Sequence, residues 1–274
     1  MSSHGTGVVE LLQRVLAREP FFAAVVGVLL LLMVPTGIAR LVDTRTIDGL
    51  NVWVKPLKFE VSLAVFCATL VIFANLLPAG TTESRAYRLY AWSVAIAIAA
   101  EMLWLLVAAG MGIRSHFNSA QPLFRAVYPM MGVVAVYLTS VTLVYGVLIL
   151  MGKPGPFGAA VGVGFMLTFL LTTLVASALA TTDAALGGTP NGPGAPIFGW
   201  RSITRDLRAA HFVATHAVLF IALPAWWAQR FLSRTSSYVA SGIAAALVTL
   251  LVLGLFVNVT RAPRESSAPS PVES

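Results

Sequence analysis

Three short segments of the chain hold most of the side chains that could bind a ligand or move a proton. They read NVWVKPLKFE (51–60), GIRSHFN (112–118) and WRSITRDLRAAHF (200–212). Their lysines and arginines could hold an anionic group, and histidine transfers protons near neutral pH. Two further ionisable residues, Glu101 and His216, stand inside long apolar runs, where such residues are costly and usually functional.

From these segments we predict the residues of a ligand site or proton pathway. They are Lys55, Lys58, Glu60, Glu101, Arg114, His116, Asn118, Asp206, Arg208, His211, Thr215 and His216. Plainer alternatives stay open. The two lysines could anchor the chain at the membrane surface, the Asp and Asn could cap helices, and the buried carboxyl could bond a neighbouring helix.

The three histidines near these segments are also the candidate metal ligands. On one continuous helix His211 and His216 would lie about 140° apart around the axis, whereas helical metal pairs share one face. We therefore expect each to need a partner from elsewhere, such as His116, Glu60 or Glu101. A b-type haem between His116 and His211 is one variant, although no motif specific to a haem or a transition metal is present.

The elements that must position these residues are predicted to be membrane helices. The 274 residues are 58% hydrophobic and only 11% charged, where a soluble domain has about a quarter charged. Seven apolar segments are long enough to span a bilayer, near 21–40, 58–78, 87–111, 124–151, 157–180, 207–228 and 237–259. Gly158, Gly162 and Gly164 predict close helix packing.

We therefore predict an all-α polytopic membrane protein, a seven-transmembrane-helix bundle with a short N-terminal amphipathic helix. Residues 1–20 form the polar and amphipathic segment, 21–259 the membrane domain and 260–274 a disordered tail. The partners expected are the lipid bilayer and a small ligand. The net charge is +7, but the basic residues stand singly between apolar runs and form no basic stripe, so nucleic acid is not an expected partner. Because Cys67 is the single cysteine, a disulfide within the chain is excluded.

Seven crossings would place the three polar segments on one membrane face, here called face A, together with the C-terminus. At 1.5 Å of rise per residue, Glu101 and His216 would lie about 15 and 13 Å inside that face, below an outer layer of Glu60, His116 and His211. Face A holds most of the basic residues, which predicts a cytoplasmic C-terminus in a bacterial inner membrane. Without the basic residues of the motifs, the charge balance reverses.

The segments KPLKF (55–59), RSHFN (114–118) and DLRAAHFVATHA (206–217) resemble a family of uncharacterised bacterial multipass membrane proteins. The chain departs from the family pattern at Thr204-Arg205, where the family often has Gly-Gly, and at Leu219, where it often has Gln. The family has no established activity, so the resemblance implies topology but no catalytic residues.

Three functions are compatible with these patterns. The first is a polar, histidine-containing pocket that opens on one membrane face and binds a small ligand, an ion or a redox cofactor. The second is a membrane-embedded metal-dependent hydrolase or lipid-modifying enzyme that uses His116 and His211 with Glu60 or Asp206. The third is an ion or small-molecule transporter, although no inverted repeat is visible in the sequence. The sequence sets neither the ligand nor the oligomeric state.

Overall fold

The computed structural model describes residues 16–47, 49–115, 122–181 and 206–261, which are nearly all helical. The elements are α1 (Pro20–Val42), β1 (Thr46–Ile47), β2 (Leu50–Asn51), α2 (Val54–Phe73), α3 (Arg85–Met111), α4 (Pro122–Met151), α5 (Pro156–Thr181), α6 (Leu207–Thr215), α7 (Ala217–Phe231) and α8 (Arg234–Arg261). A 3-10 turn (Ala74–Leu76) follows α2. The predicted amphipathic helix before Pro20 and the predicted disordered tail lie largely outside the described residues.

Six of these helices are long and apolar enough to cross a membrane. They are α1, α2 with its 3-10 turn, α3, α4, α5 and α8. The predicted span near 207–228 is not one continuous helix, because α6 and α7 meet at a 50° bend. The described residues therefore contain six helices that could span a membrane, or seven if the bent pair counts as one, which confirms the prediction of a nearly all-helical chain with several membrane-spanning candidates but not the exact count of seven.

The helix ends follow from the residues that stand there. Proline opens α1, α4 and α5, where its missing N–H costs nothing because the first turn has no partner for it. Ser84 caps α3 by accepting a hydrogen bond from the Tyr87 N–H. Gly112 ends α3 at φ +66°, a left-handed conformation that favours glycine, and the N–H of Ile113 returns to the Ala108 carbonyl.

The described elements fall into two compact units. The first, Met1–Gly152, contains α1 to α4, with α1 packed on α2 and α3 packed on both α2 and α4. Its buried core includes Cys67, Leu70, Val94 and Leu105. Because the Cys67 thiol is fully buried, it serves as a small apolar side chain.

The second unit, Lys153–Ser274, is built on α5, against which α6, α7 and α8 all pack. One apolar cluster joins α5, α7 and α8 around Ala217 and Ile221, and another joins α5, α6 and α8 around Val175 and Ala210. The interrupted span is therefore held on one side along its length by the continuous helix α5. This arrangement positions the two histidines.

Candidate functional site

In the first unit, a small network of hydrogen bonds connects the loop after α1 to the C-terminal end of α3. Arg45 donates to both carboxylate oxygens of Asp43 and, through Nη1, to the Gly110 carbonyl at 3.0 Å. Trp53 Nε1 also donates to Asp43 at 2.8 Å, and Asn51 donates to its backbone carbonyl. The hydrogen bonds from Arg45 hold the pKa of Asp43 well below its usual range. The loop between α1 and α2 therefore meets the C-terminal end of α3, and the sequence analysis predicts both of them on face A.

Lys55 and Glu101 lie within electrostatic range of each other. Lys55 stands in the first turn of α2 and is half-buried, whereas Glu101 is buried in α3. Lys58, one turn further along, is exposed. An opposite charge nearby lowers the cost of burying a carboxyl in an apolar helix, so Lys55 offsets part of that cost for Glu101. A role in the site and a role as a surface anchor both stay predictions for Lys55.

Glu60 is completely buried within the first unit. Thr36 Oγ1 of α1 donates to Glu60 Oε1 at 2.7 Å and also lies 3.0 Å from the Leu32 carbonyl. One hydroxyl hydrogen serves one acceptor at a time, so a proton on Glu60 would let both contacts form together. Among the described residues no hydrogen bond reaches Oε2, an exception that calls for an explanation in a folded protein.

The segment GIRSHFN is described only in its first half. After the turn at Gly112, Arg114 is exposed and Ser115 is buried, with Trp104 Nε1 donating to the Ser115 carbonyl at 2.8 Å. His116 and Asn118 lie outside the described residues. Their predicted roles in the ligand site therefore stay predictions.

Asp206 and Arg208 form the start of α6 in the second unit. Asp206 Oδ1 accepts the Arg208 N–H at 2.9 Å, which confirms the capping alternative. The Arg208 guanidinium also makes a two-pronged ion pair with the same carboxylate, which is only 1% exposed. The Arg208 guanidinium is thus paired with Asp206, the residue that caps α6.

The helix break at His216 is the central feature of the second unit. His216 leaves the helical conformation (φ −109°, ψ 13°), and its Nδ1 lies 2.8 Å from the Phe212 carbonyl. Thr215 Oγ1 lies 3.2 Å from the same Nδ1 and 2.9 Å from the His211 carbonyl. His211 Nδ1 is buried, and within the described parts of the chain it has no hydrogen-bond partner. The break thus places the Thr215 hydroxyl beside the His216 ring, with His211 about one turn earlier on α6.

A residue of α5 compensates for the backbone hydrogen bonds that the break removes. The Val218 N–H, which in a continuous helix would bond the Ala214 carbonyl, donates instead to Thr168 Oγ1 at 3.1 Å. The Thr168 hydroxyl in turn donates to the Gly164 carbonyl. Inside a bilayer an unpaired backbone N–H costs several kcal/mol, because no water is present to bond it. The Thr168 hydroxyl avoids this cost for the Val218 N–H and thereby stabilises the break. Thr168 was not among the predicted site residues.

The described residues contain no group of three His, Cys, Asp or Glu side chains that could hold a metal ion. His211 and His216 lie within electrostatic range of each other. The two histidines do not lie on one continuous helix, because the helix is interrupted at His216. The separation of about 140° around the axis, which was predicted for a continuous helix, therefore does not describe their side chains. The candidate ligand His116 is outside the described residues, so neither a metal nor a haem site is assigned to the chain here.

A second buried polar cluster, which the sequence analysis missed, joins Glu19, Tyr87 and Tyr145 in the first unit. Tyr87 Oη donates to Glu19 Oε2 at 2.6 Å and lies 2.8 Å from Tyr145 Oη. Glu19 also caps α1 by accepting the Phe22 N–H, and burial raises its pKa above the ordinary value. A carboxylate directly before Pro20 was the available signal, since acidic residues often precede helix-opening prolines.

Comparisons with protein-family models, with curated proteins and with solved structures found no match to this chain. The resemblance drawn from three short motifs therefore stays a prediction. What is established is that the described part of the chain is nearly all helical and contains six or seven apolar helices able to span a membrane.

Proposed function

We propose that this chain is a seven-span membrane protein of the bacterial inner membrane with a polar, histidine-containing pocket that binds a small ligand or ion. The observation that carries the proposal is the broken span, which holds His211, Thr215 and His216. A break in a transmembrane helix is costly, and it is found where backbone or side chains serve a cavity. A buried imidazole nitrogen without a partner, as at His211, is a group that a ligand would satisfy.

The buried groups of the first unit support the same proposal. Glu60 has one carboxylate oxygen that no described residue bonds, and Glu101 interacts with Lys55. Ionisable side chains inside membrane spans commonly mark ligand or proton routes. The hydrolase alternative stays a prediction, because its proposed ligand His116 lies outside the described residues. The transporter alternative predicts a pair of broken spans, and among the described helices one pair, α6 and α7, is bent at a break.

Ligand-induced stabilisation tests the proposal. We expect full-length protein in detergent to be stabilised by at least one compound in a panel of amines, carboxylic acids and metal cations. A ligand at one hundred times its Kd adds about 2.7 kcal/mol to the free energy of unfolding. His211→Ala and His216→Ala should lose that stabilisation while His4→Ala keeps it, as measured by thermal denaturation.

An absorbance spectrum and an elemental analysis of the same preparation would show any group that copurifies. The proposal is contradicted if no compound shifts the transition and nothing copurifies. It is equally contradicted if both histidine variants fold and keep every shift of the wild type.

The orientation of the chain is a separate prediction. Most basic residues are predicted to lie on the face that holds the C-terminus, so we expect that terminus in the cytoplasm. A reporter pair fused after residue 274 should give fluorescence from the cytoplasmic reporter and no alkaline phosphatase activity. The opposite result would show that the basic residues of the motifs belong to a site and do not set the topology.

A further inference from the structure

The contacts of His216 fix which of its ring nitrogens carries hydrogen. A backbone carbonyl can only accept, so the 2.8 Å contact between Nδ1 and the Phe212 carbonyl requires a hydrogen on Nδ1. The Thr215 hydroxyl lies 2.9 and 3.0 Å from the carbonyls of His211 and Phe212, which take its single hydrogen. The Thr215 hydroxyl oxygen therefore presents a lone pair to Nδ1 of His216. The contacts of Nδ1 with the Phe212 carbonyl and with Thr215 Oγ1 thus both require the tautomer with hydrogen on Nδ1.

The second nitrogen, Nε2, follows from the first. A neutral imidazole carries one hydrogen, so a ring with Nδ1–H presents Nε2 as a lone pair that can only accept. The Phe212 ring lies against the imidazole with the centroids 4.4 Å apart, which holds the plane of the ring. Within the described residues, no donor bonds Nε2 of His216. The half-buried ring thus offers a fixed acceptor.

The helices packed around His216 supply no competing carboxylate. Helix α5 has no charged residue, and the charged residues of α8 are Arg234 and Arg261 at its two ends. On the bent span itself, Asp206 is engaged by Arg208, and His211 is the ionisable neighbour within electrostatic range. A cation or a donor that reached Nε2 would therefore meet the imidazole without a competing anion from these helices.

The position of His216 depends on Thr168. In a continuous helix the N–H groups of Val218 and Leu219 would bond the carbonyls of Ala214 and Thr215. Instead they bond Thr168 Oγ1 and the His216 carbonyl. By taking up the Val218 N–H, the hydroxyl on α5 stabilises the interrupted form of the span.

We propose that His216 Nε2 is the atom that accepts a proton or a hydrogen bond from the bound ligand, and that Thr168 is a positioning residue which keeps the span broken at His216. The ligand class is then a small molecule that presents an N–H or O–H group, of which a protonated amine is the clearest case. This inference rests on the proposed function, because it names the chemistry of the same site.

Nitrogen NMR of histidine-labelled, full-length protein in detergent tests the tautomer directly. The chain has four histidines, and His216→Gln identifies the signals of this one. We expect Nδ1 to appear protonated and Nε2 unprotonated in the wild type. Thr168→Val should give a mixture of tautomers, and Thr168→Ser, which keeps the hydroxyl, should restore the wild-type pattern.

Two probes of nearly equal size test the ligand class. Trimethylammonium carries one N–H and tetramethylammonium carries none, although both have the same charge. We expect the first to shift the Nε2 signal and the second to leave it unchanged. Hydrogen on Nε2 in the wild type, no shift with trimethylammonium or equal shifts with both ions would each overturn the inference. The proposed function would survive that result if ligand stabilisation still depended on His211.

Discussion

Replacing Glu19 with alanine should lower the free energy of unfolding by about 1.5–5 kcal/mol. A lost helix cap costs about 0.5–2 kcal/mol, and leaving buried hydroxyls without their acceptor costs about 1–3 kcal/mol. Glu19 serves both purposes, because it caps α1 and accepts from Tyr87 and Tyr145 while being only 1% exposed. Thermal or denaturant unfolding of the purified protein in detergent measures the loss.

Glu83→Ala is the matched control for this variant. Glu83 is 64% exposed in its side chain and lies 3.8 Å from Arg18, so its removal should cost about 0–1 kcal/mol. If both alanine variants unfold at the same point, the buried cluster does not tie α1 to α3 and α4.

The same carboxyl should give the protein a characteristic pH dependence. Burial raises the pKa of Glu19 above its ordinary value of 4.5, so the folded protein binds this proton more tightly than the unfolded chain. Stability should therefore fall as pH rises from about 4.5 through the raised pKa. Glu19→Gln, which cannot ionise, should lack this part of the pH profile, and an unchanged profile would contradict the assignment.

The sequence was sufficient to locate the helices, because long apolar runs in a weakly charged chain leave few alternatives. Asp206 also caps a helix, as one of the alternatives drawn from the sequence predicted. The sequence also shows that Glu101 lies inside a long apolar run, and the structure places it within α3. These features depend on residues close together in the chain.

The features that the sequence analysis missed depend on residues far apart. The break at His216 is stabilised by a hydroxyl 50 residues earlier, and nothing in the segment 207–228 reveals it. Glu60 is buried because Thr36 of α1 meets it, and Glu19 because two tyrosines of other helices converge on it. Hydrophobic periodicity identifies a span, but it does not say which neighbouring side chain will satisfy a displaced backbone group.

The second large effect is expected at Gly164, where α5 packs closely against Val218 of α7. A Cβ added at Gly164 would lie 2.9 Å from the Val218 Cα, a backbone atom that cannot turn away. The helices must therefore separate. Overpacking of this kind costs about 1–3 kcal/mol, and losing the bond from the Val218 N–H to Thr168 adds about 1–3 kcal/mol. We expect Gly164→Ala to be about 2–6 kcal/mol less stable than a glycine-to-alanine change without the clash.

Gly242→Ala provides that comparison, because no atom lies within 4 Å of the added methyl group. Both variants gain the same helix propensity of about 1 kcal/mol, so their difference isolates the contact with Val218. Unfolding in detergent should show Gly242→Ala at or above the wild type and Gly164→Ala well below it. Equal stability of the two variants would mean that α5 does not support the broken span at this point, and the role assigned to Thr168 would lose its structural basis.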